Sequence, residues 1–163
     1  MVALSRQTIR TYCGNYGMVR RLDNRPLSIE PVSIDIHLDE ISLGGRVYDR
    51  GVVTLDPGLF CLGSVIETFK MPADIVGYVI GKSTNAREGL QIEAAGLIDP
   101  GFEGDITLEL KNLHHEEQIP LEIGEPIGQV YFLKVDEPVD VLYGPENGNH
   151  YQGQRGVTDS YRK

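Results

Sequence analysis

Two short stretches of this chain carry side chains whose types and spacing could do chemistry. The first is Gly81-Lys82-Ser83-Thr84-Asn85-Ala86-Arg87-Glu88-Gly89-Leu90. It opens with glycine after an apolar run and gathers two cations, two hydroxyls and several backbone N–H groups. A helical turn starting at Ser83 puts Arg87 one turn on, at i+4. Hydroxyls, N–H groups and a guanidinium converging in this way suit phosphate oxygens. The plain alternative is a capped surface helix. The second stretch is Ile106-Thr107-Leu108-Glu109-Leu110, which alternates. If Leu108 and Leu110 face a core, Glu109 faces the opposite side. In a pocket such a carboxylate can be tuned for proton transfer; on an open strand it is only a solvated charge. Between the two, Asp99-Pro100-Gly101 reads as a tight turn, and Phe102 can pack on a sugar or a base.

Other common sites are missing from the sequence. There is no G-x-x-x-x-G-K-[ST] loop and no G-x-S-x-G elbow. His114-His115-Glu116 fits the H-x-E of zinc deaminases, but no C-x-x-C completes that site. The histidine pair therefore reads as a solvated loop. The two cysteines, Cys13 and Cys61, are too few for a disulfide framework or a cysteine-rich zinc site.

The elements that would position these groups are mainly strands. The 163 residues suit one domain. Nineteen glycines and nine prolines, spread throughout, imply many short elements joined by turns. One helix is expected over residues 5–12, capped by the Ser5 hydroxyl and stopped at Gly14. Val32-Ser33-Ile34-Asp35-Ile36-His37-Leu38 alternates as a half-buried strand does. Strand patterns recur over 52–55, 59–69, 75–80, 106–110, 119–123 and 127–135. Such spacing predicts an all-β sandwich or barrel. Residues 143–163 carry turn chemistry and no core pattern, which suits either a frayed end or an arm that orders over a ligand.

Charge and targeting narrow the field. A net charge of −9 disfavours a nucleic-acid coat, which needs a basic face. No apolar run approaches the ~18 residues of a membrane span. The start of the chain has no long apolar segment like that of a secretory signal. A cytoplasmic protein is expected, without nucleic acid or membrane as partner.

Taken in order, six segments resemble the dCTP deaminase branch of the trimeric dUTPase superfamily. They are Pro31-Val32-Ser33-Ile34-Asp35-Ile36-His37-Leu38, the Gly81 to Leu90 stretch, Gly96-Leu97-Ile98-Asp99-Pro100-Gly101-Phe102-x-Gly104, Ile106-Thr107-Leu108-Glu109-Leu110, Gly124-Glu125-Pro126-Ile127-Gly128-Gln129 and Tyr151-Gln152-Gly153-Gln154-Arg155-Gly156. The similarity runs from about residue 4 to residue 160.

The resemblance implies a distorted jelly-roll β-barrel with a short N-terminal helix over residues 1–142, and a closing arm over 143–163. It implies a homotrimer with active sites between subunits. The substrate would be dCTP or dUTP, with Mg²⁺ held mainly by the phosphates and no zinc. Lys82, Ser83, Thr84, Asn85, Ala86 and Arg87 would hold the triphosphate. Asp99 would sit at the deoxyribose and share the catalytic site with Glu109. Glu109 would take a proton from water attacking C4 of cytosine and deliver it to the departing ammonia. Thr107, Leu108, Gln129, Tyr143, His150 and Gln154 match further nucleotide contacts.

Members of the superfamily deaminate dCTP to dUTP, carry it on to dUMP, or only hydrolyse dUTP. Glu109 argues for deamination. Leu97, where deaminase-only bacterial members carry Arg, argues for the dUMP-forming group, as does the short loop at 91–96. A regulator that binds nucleotide without turnover would be expected to lack Glu109, Asp99 or Arg87, and all three are present. The sequence departs from the family at Thr84 (usually Ser), at Asn85 and Glu88 (commonly apolar), at His150 (commonly Lys) and at Phe102 (Tyr in pure dUTPases). Glu93 adds a negative charge in the base-recognition loop.

Overall fold

The computed structural model describes residues 1–93 and 96–162. The chain opens with strand β1 (Val2–Ala3) and helix α1 (Arg6–Tyr16). Ser5 caps the helix, its Oγ accepting from the Thr8 N–H at 3.4 Å. The expected stop at Gly14 is wrong. Glycine weakens a helix by about 1 kcal/mol, but a helix ends where the backbone turns left-handed. That residue is Gly17, at φ 64°, whose N–H returns to the Cys13 carbonyl.

The rest is β structure: β2 (Val19–Arg21), β3 (Ser33–Leu43), β4 (Arg46–Tyr48), β5 (Val52–Leu55), β6 (Phe60–Lys70) and β7 (Ile75–Gly81). After the single helical turn α2 (Ser83–Arg87) come β8 (Leu90–Glu93), β9 (Leu97–Ile98), β10 (Glu103–Asn112), β11 (Ile119–Glu122) and β12 (Pro126–Lys134). Ten strands form one antiparallel sheet in the order β8-β10-β6-β3-β12-β7-β9, with β1, β2 and β4 attached to β12, β6 and β3. Strands β5 and β11 pair separately. The two end strands, β8 and β9, are neighbours in sequence, so the sheet curls to bring its edges together. A Cβ on Gly128 of β12 would lie 3.2 Å from Ile92 of β8, which puts that edge against the middle of the sheet. This is the all-β, jelly-roll-type barrel the sequence implied. Ile34, Ile36, Leu38, Leu108, Leu110, Val130 and Phe132 fill its interior. No helix among the described residues is long and apolar enough to cross a membrane.

One strand departs from its pattern. Alternation predicts β3 to be half-buried, yet Ser33, Asp35 and His37 are buried nearly as fully as the isoleucines between them. Their face is shielded by other polar groups rather than by water. Glu67, fully buried, accepts from the His37 backbone N–H and lies 2.8 Å from His37 Nδ1. Arg21 reaches Glu67 at 3.2 Å and forks onto Asp23 at 2.7 and 2.9 Å. That fork holds the Asp23 carboxyl well below the usual carboxylate range.

The C-terminal tail lies on the barrel. Its backbone exchanges bonds with β10: the Gly153 N–H donates to the Glu103 carbonyl and the Asp105 N–H to the Gln154 carbonyl. Arg155 reaches Asp105 at 2.7 Å and Thr68 at 2.6 Å. The Val157 and Thr158 N–H groups donate to Glu40 and to the Thr107 hydroxyl. Burial, followed by the neighbouring Glu40 and Asp105 carboxylates, pushes the Asp39 carboxyl up.

Candidate active site

Under the tail is a cavity of about 450 Å³. Its wall is built from β10, which contributes Ile106, Thr107 and Glu109, and from β6, which contributes Phe60 and Leu62. Glu109 is registered opposite Leu62. Leu108 and Leu110 point into the core, so the alternation sends Glu109 the other way, as the sequence predicts. Leu97, Ile98 and Asp99 enter from the β9 side, and Tyr143, Tyr151 and Gln154 from the tail.

Two glycines allow the tail to come this close. At Gly101 (φ 89°) a Cβ would fall 2.7 Å from that of Leu142. At Gly104 (φ 145°) it would fall 2.9 Å from the Gln154 carbonyl oxygen. A side chain at either site would be strained and would push the tail off. The turn at 99–102 is tight, as expected, closed by the Phe102 N–H to the Asp99 carbonyl. Phe102 then meets Tyr143 edge-on at 5.5 Å, and the Tyr143 hydroxyl accepts from the Tyr151 N–H. Gln154 donates to the Asp105 carbonyl at 2.6 Å. The cavity thus pairs an apolar floor with a few fixed polar groups, the usual make-up of a small-molecule site.

The phosphate-type turn is elsewhere. Helix α2 forms at Ser83–Arg87, as the spacing predicts, with Lys82 at its cap position and no side-chain cap. Ser83, Thr84, Ala86 and Arg87 are exposed, and Asn85 is half-buried. None of residues 82–87 lines the cavity, nor do Gln129 and His150. Lys82 and Gln129 instead meet at Asp35, whose two carboxylate oxygens take one each, at 2.7 and 2.9 Å. His150 is stacked on Tyr161, ring centres 3.7 Å apart. The Leu108 side chain is in the core, and Leu108 does not line the cavity. The short-loop reading at 91–96 falls partly on residues 94 and 95, outside the described residues.

Sequence reasoning missed three contributions. Thr158, Asp159 and Ser160 line the cavity although their stretch has no motif. Phe60 and Leu62 come from a stretch read only as a strand, with no part in a site. Asp35 was seen only as a polar residue on a half-buried strand; its burial beside Lys82 was the missing signal. Among the described residues no three His, Cys, Asp or Glu side chains are grouped to hold a metal ion. Burial pushes the Cys13 and Cys61 thiols up to about 11, so neither offers a thiolate near neutral pH.

Residues 44–135 match the model of a family described as dCTP deaminase-like. The chain is 46% identical over 110 residues to a protein of Mycobacterium ulcerans named dCTP deaminase, dUMP-forming. That match covers 65% of this chain and 56% of the relative, so it spans little more than half the relative's length. A protein of the same name from Bifidobacterium adolescentis is 38% identical over 160 residues, covering 83% of this chain and 81% of its own. Among solved structures, the 2′-deoxycytidine 5′-triphosphate deaminase of Agrobacterium tumefaciens superposes with a TM-score of 0.69 at 18% identity, covering 81% of this chain and 47% of that one. The structural likeness concerns the fold.

Proposed function

The chain belongs to the dCTP deaminase-like family, and from that premise we propose that it converts dCTP and two waters to dUMP, ammonia and diphosphate. The observation that carries this reading is the seating of Glu109 in a partly apolar cavity with Asp99, Thr107, Tyr143 and Gln154. Glu109 takes a proton from the water adding to C4 and returns it to the departing ammonia. Asp99 meets the deoxyribose. Leu97, an apolar wall residue, supports the dUMP-forming reaction over one that stops at dUTP.

Lys82, Ser83, Thr84 and Arg87 hold the triphosphate, with Asn85 and Ala86 offering backbone. In one chain they stand outside the Glu109 cavity, which supports a homotrimer in which the turn of one subunit completes the cavity of another. Residues 1–142 are then the barrel, and 143–163 the arm that covers the base. Mg²⁺ is carried in on the phosphates rather than held by a cage of side chains. When bound, it would neutralise charge on the phosphorus under attack. Purified protein incubated with dCTP, and in parallel with dUTP, should yield dUMP from both on ion-exchange chromatography, with little free dUTP from dCTP. Accumulation of dUTP from dCTP would reduce the function to deamination. No turnover of either would leave a nucleotide-binding regulator.

A further inference from the structure

We propose that Asp35 is a positioning residue that aims Lys82 and fixes the amide of Gln129 toward the nucleotide. The inference rests on the reading of Lys82 and Gln129 as nucleotide contacts.

Three strands bring these groups to one level. Gln129 of β12 is registered opposite Asp35 of β3 on one side and Ile80 of β7 on the other, and Lys82 lies just beyond β7. Asp35 is only 8% exposed. A carboxylate buried to that degree needs partners for its oxygens, and here each oxygen has one. Oδ2 takes the Lys82 ammonium at 2.7 Å, and Oδ1 takes the Gln129 amide N–H at 2.9 Å.

The chemistry of the carboxylate dictates the rest. It can only accept. Gln129 must therefore turn its NH₂ toward Asp35, which leaves its carbonyl oxygen to face outward as an acceptor. Lys82 gives one N–H to Asp35 and keeps two, in a direction set by the pair. Its charge is balanced by Asp35, so it brings oriented donors rather than net positive charge. His37, two residues along on the same face of β3, is held by Glu67, which keeps this stretch of strand fixed. One buried acceptor thus sets the polarity of two ligand-facing groups at once. Asn at position 35 would keep the shape but offer a single acceptor. Gln129 would then be free to reverse its amide, presenting N–H where it had presented oxygen.

The test is steady-state kinetics on dCTP with the full chain, alongside thermal melting, for wild type, Asp35→Asn, Lys82→Met and the double variant. Asp35→Asn is expected to melt close to wild type and to raise KM about tenfold to a hundredfold, with a smaller fall in kcat. In the Lys82→Met background the same change should cost several-fold less than it does alone, because only its route through Gln129 remains. An unchanged KM, or losses that simply multiply, would overturn the positioning role. If Asp35→Asn does not fold, the coupling is read from Lys82→Met and Gln129→Ala, which share Asp35. Their double variant should lose less than the product of the singles, and full multiplication overturns the proposal. Wild-type protein that neither binds nor turns over dCTP or dUTP would sink the functional reading itself, an outcome distinct from a working enzyme indifferent to Asp35→Asn.

Discussion

The turn at 82–87 and the cavity around Glu109 handle polar groups in opposite ways. At the turn, hydroxyls and Arg87 stand exposed on a single helical turn. Only Lys82 is anchored, through a buried carboxylate on another strand. In the cavity, Glu109 and Thr107 sit on the long strand β10, walled by Phe60, Leu62 and Ile106 and roofed by the tail. The first arrangement suits a large, hydrated polyanion that brings its own counter-charge. The second suits a flat heterocycle whose water must be handled one molecule at a time. The difference teaches that binding charge and moving a proton demand different surroundings. In one chain the two regions stand apart, since none of residues 82–87 lines the cavity.

The largest test of this contrast is Glu109→Gln. It should reduce dCTP deamination by about a thousandfold, while calorimetric titration shows dCTP still bound. Loss of binding along with turnover would erase the division between the two regions. Next comes Arg87→Ala, expected to raise KM for the triphosphate about tenfold to a hundredfold. Mixing it with Glu109→Gln through joint unfolding and refolding should restore about a quarter of wild-type activity by random assembly, if one subunit's turn serves another's cavity. No recovery would place both halves of the site within one chain.

A smaller effect concerns the roof. Arg155→Ala removes the tail's link to Asp105 and Thr68, and nicking of residues 150–160 by thermolysin should rise about tenfold. Cleavage at the wild-type rate would mean that the backbone bonds to β10 suffice.

Two stability measurements ask how far the shared scaffold supports both regions. The Asp23 carboxyl is held low by Arg21 in the folded state. A depressed pKa contributes stability that is complete above the unfolded value of about 4 and fades as pH falls through the folded one. Urea midpoints should therefore show Asp23→Asn less stable by about 1–2 kcal/mol at pH 7. That gap should narrow steadily below about pH 4. A gap constant with pH would deny the ion pair its role. Least of all, Ser64→Ala should be neutral or stabilising by about 1 kcal/mol. The Ser64 hydroxyl is fully buried and has no hydrogen-bond partner among the described residues. A clear loss of stability would show that it holds a buried water.

Much of the molecule was legible without coordinates. The strands over 52–55, 75–80 and 127–135 were readable because β-branched runs end at Gly and Pro turns, a local signal. Glu109 facing away from Leu108 and Leu110 followed from the period of a strand alone. The helical turn after Lys82 followed from residue spacing. Helix α1 was readable at its start, where the Ser5 cap is a local bond. Its end was not, because Gly14 and Gly17 look alike until the backbone shows which one turns left-handed.

What the sequence by itself determined was therefore the local periodicity, the kinds of chemical group available and their order along the chain. Tertiary structure alone decided which of those groups share a place. Asp35 joins Lys82 and Gln129 because β3, β12 and β7 lie side by side, a pairing across 47 and 94 positions of chain. His37 and Glu67 are covered because Arg21 folds over them, although the alternation of β3 promised water on that face. The tail roofs the cavity because Gly101 and Gly104 leave room for it and Asp105 takes its arginine. The reason is physical: strand period and capping depend on neighbours a few residues away, whereas burial and ion pairing depend on which distant strands the curled sheet brings within a few ångströms.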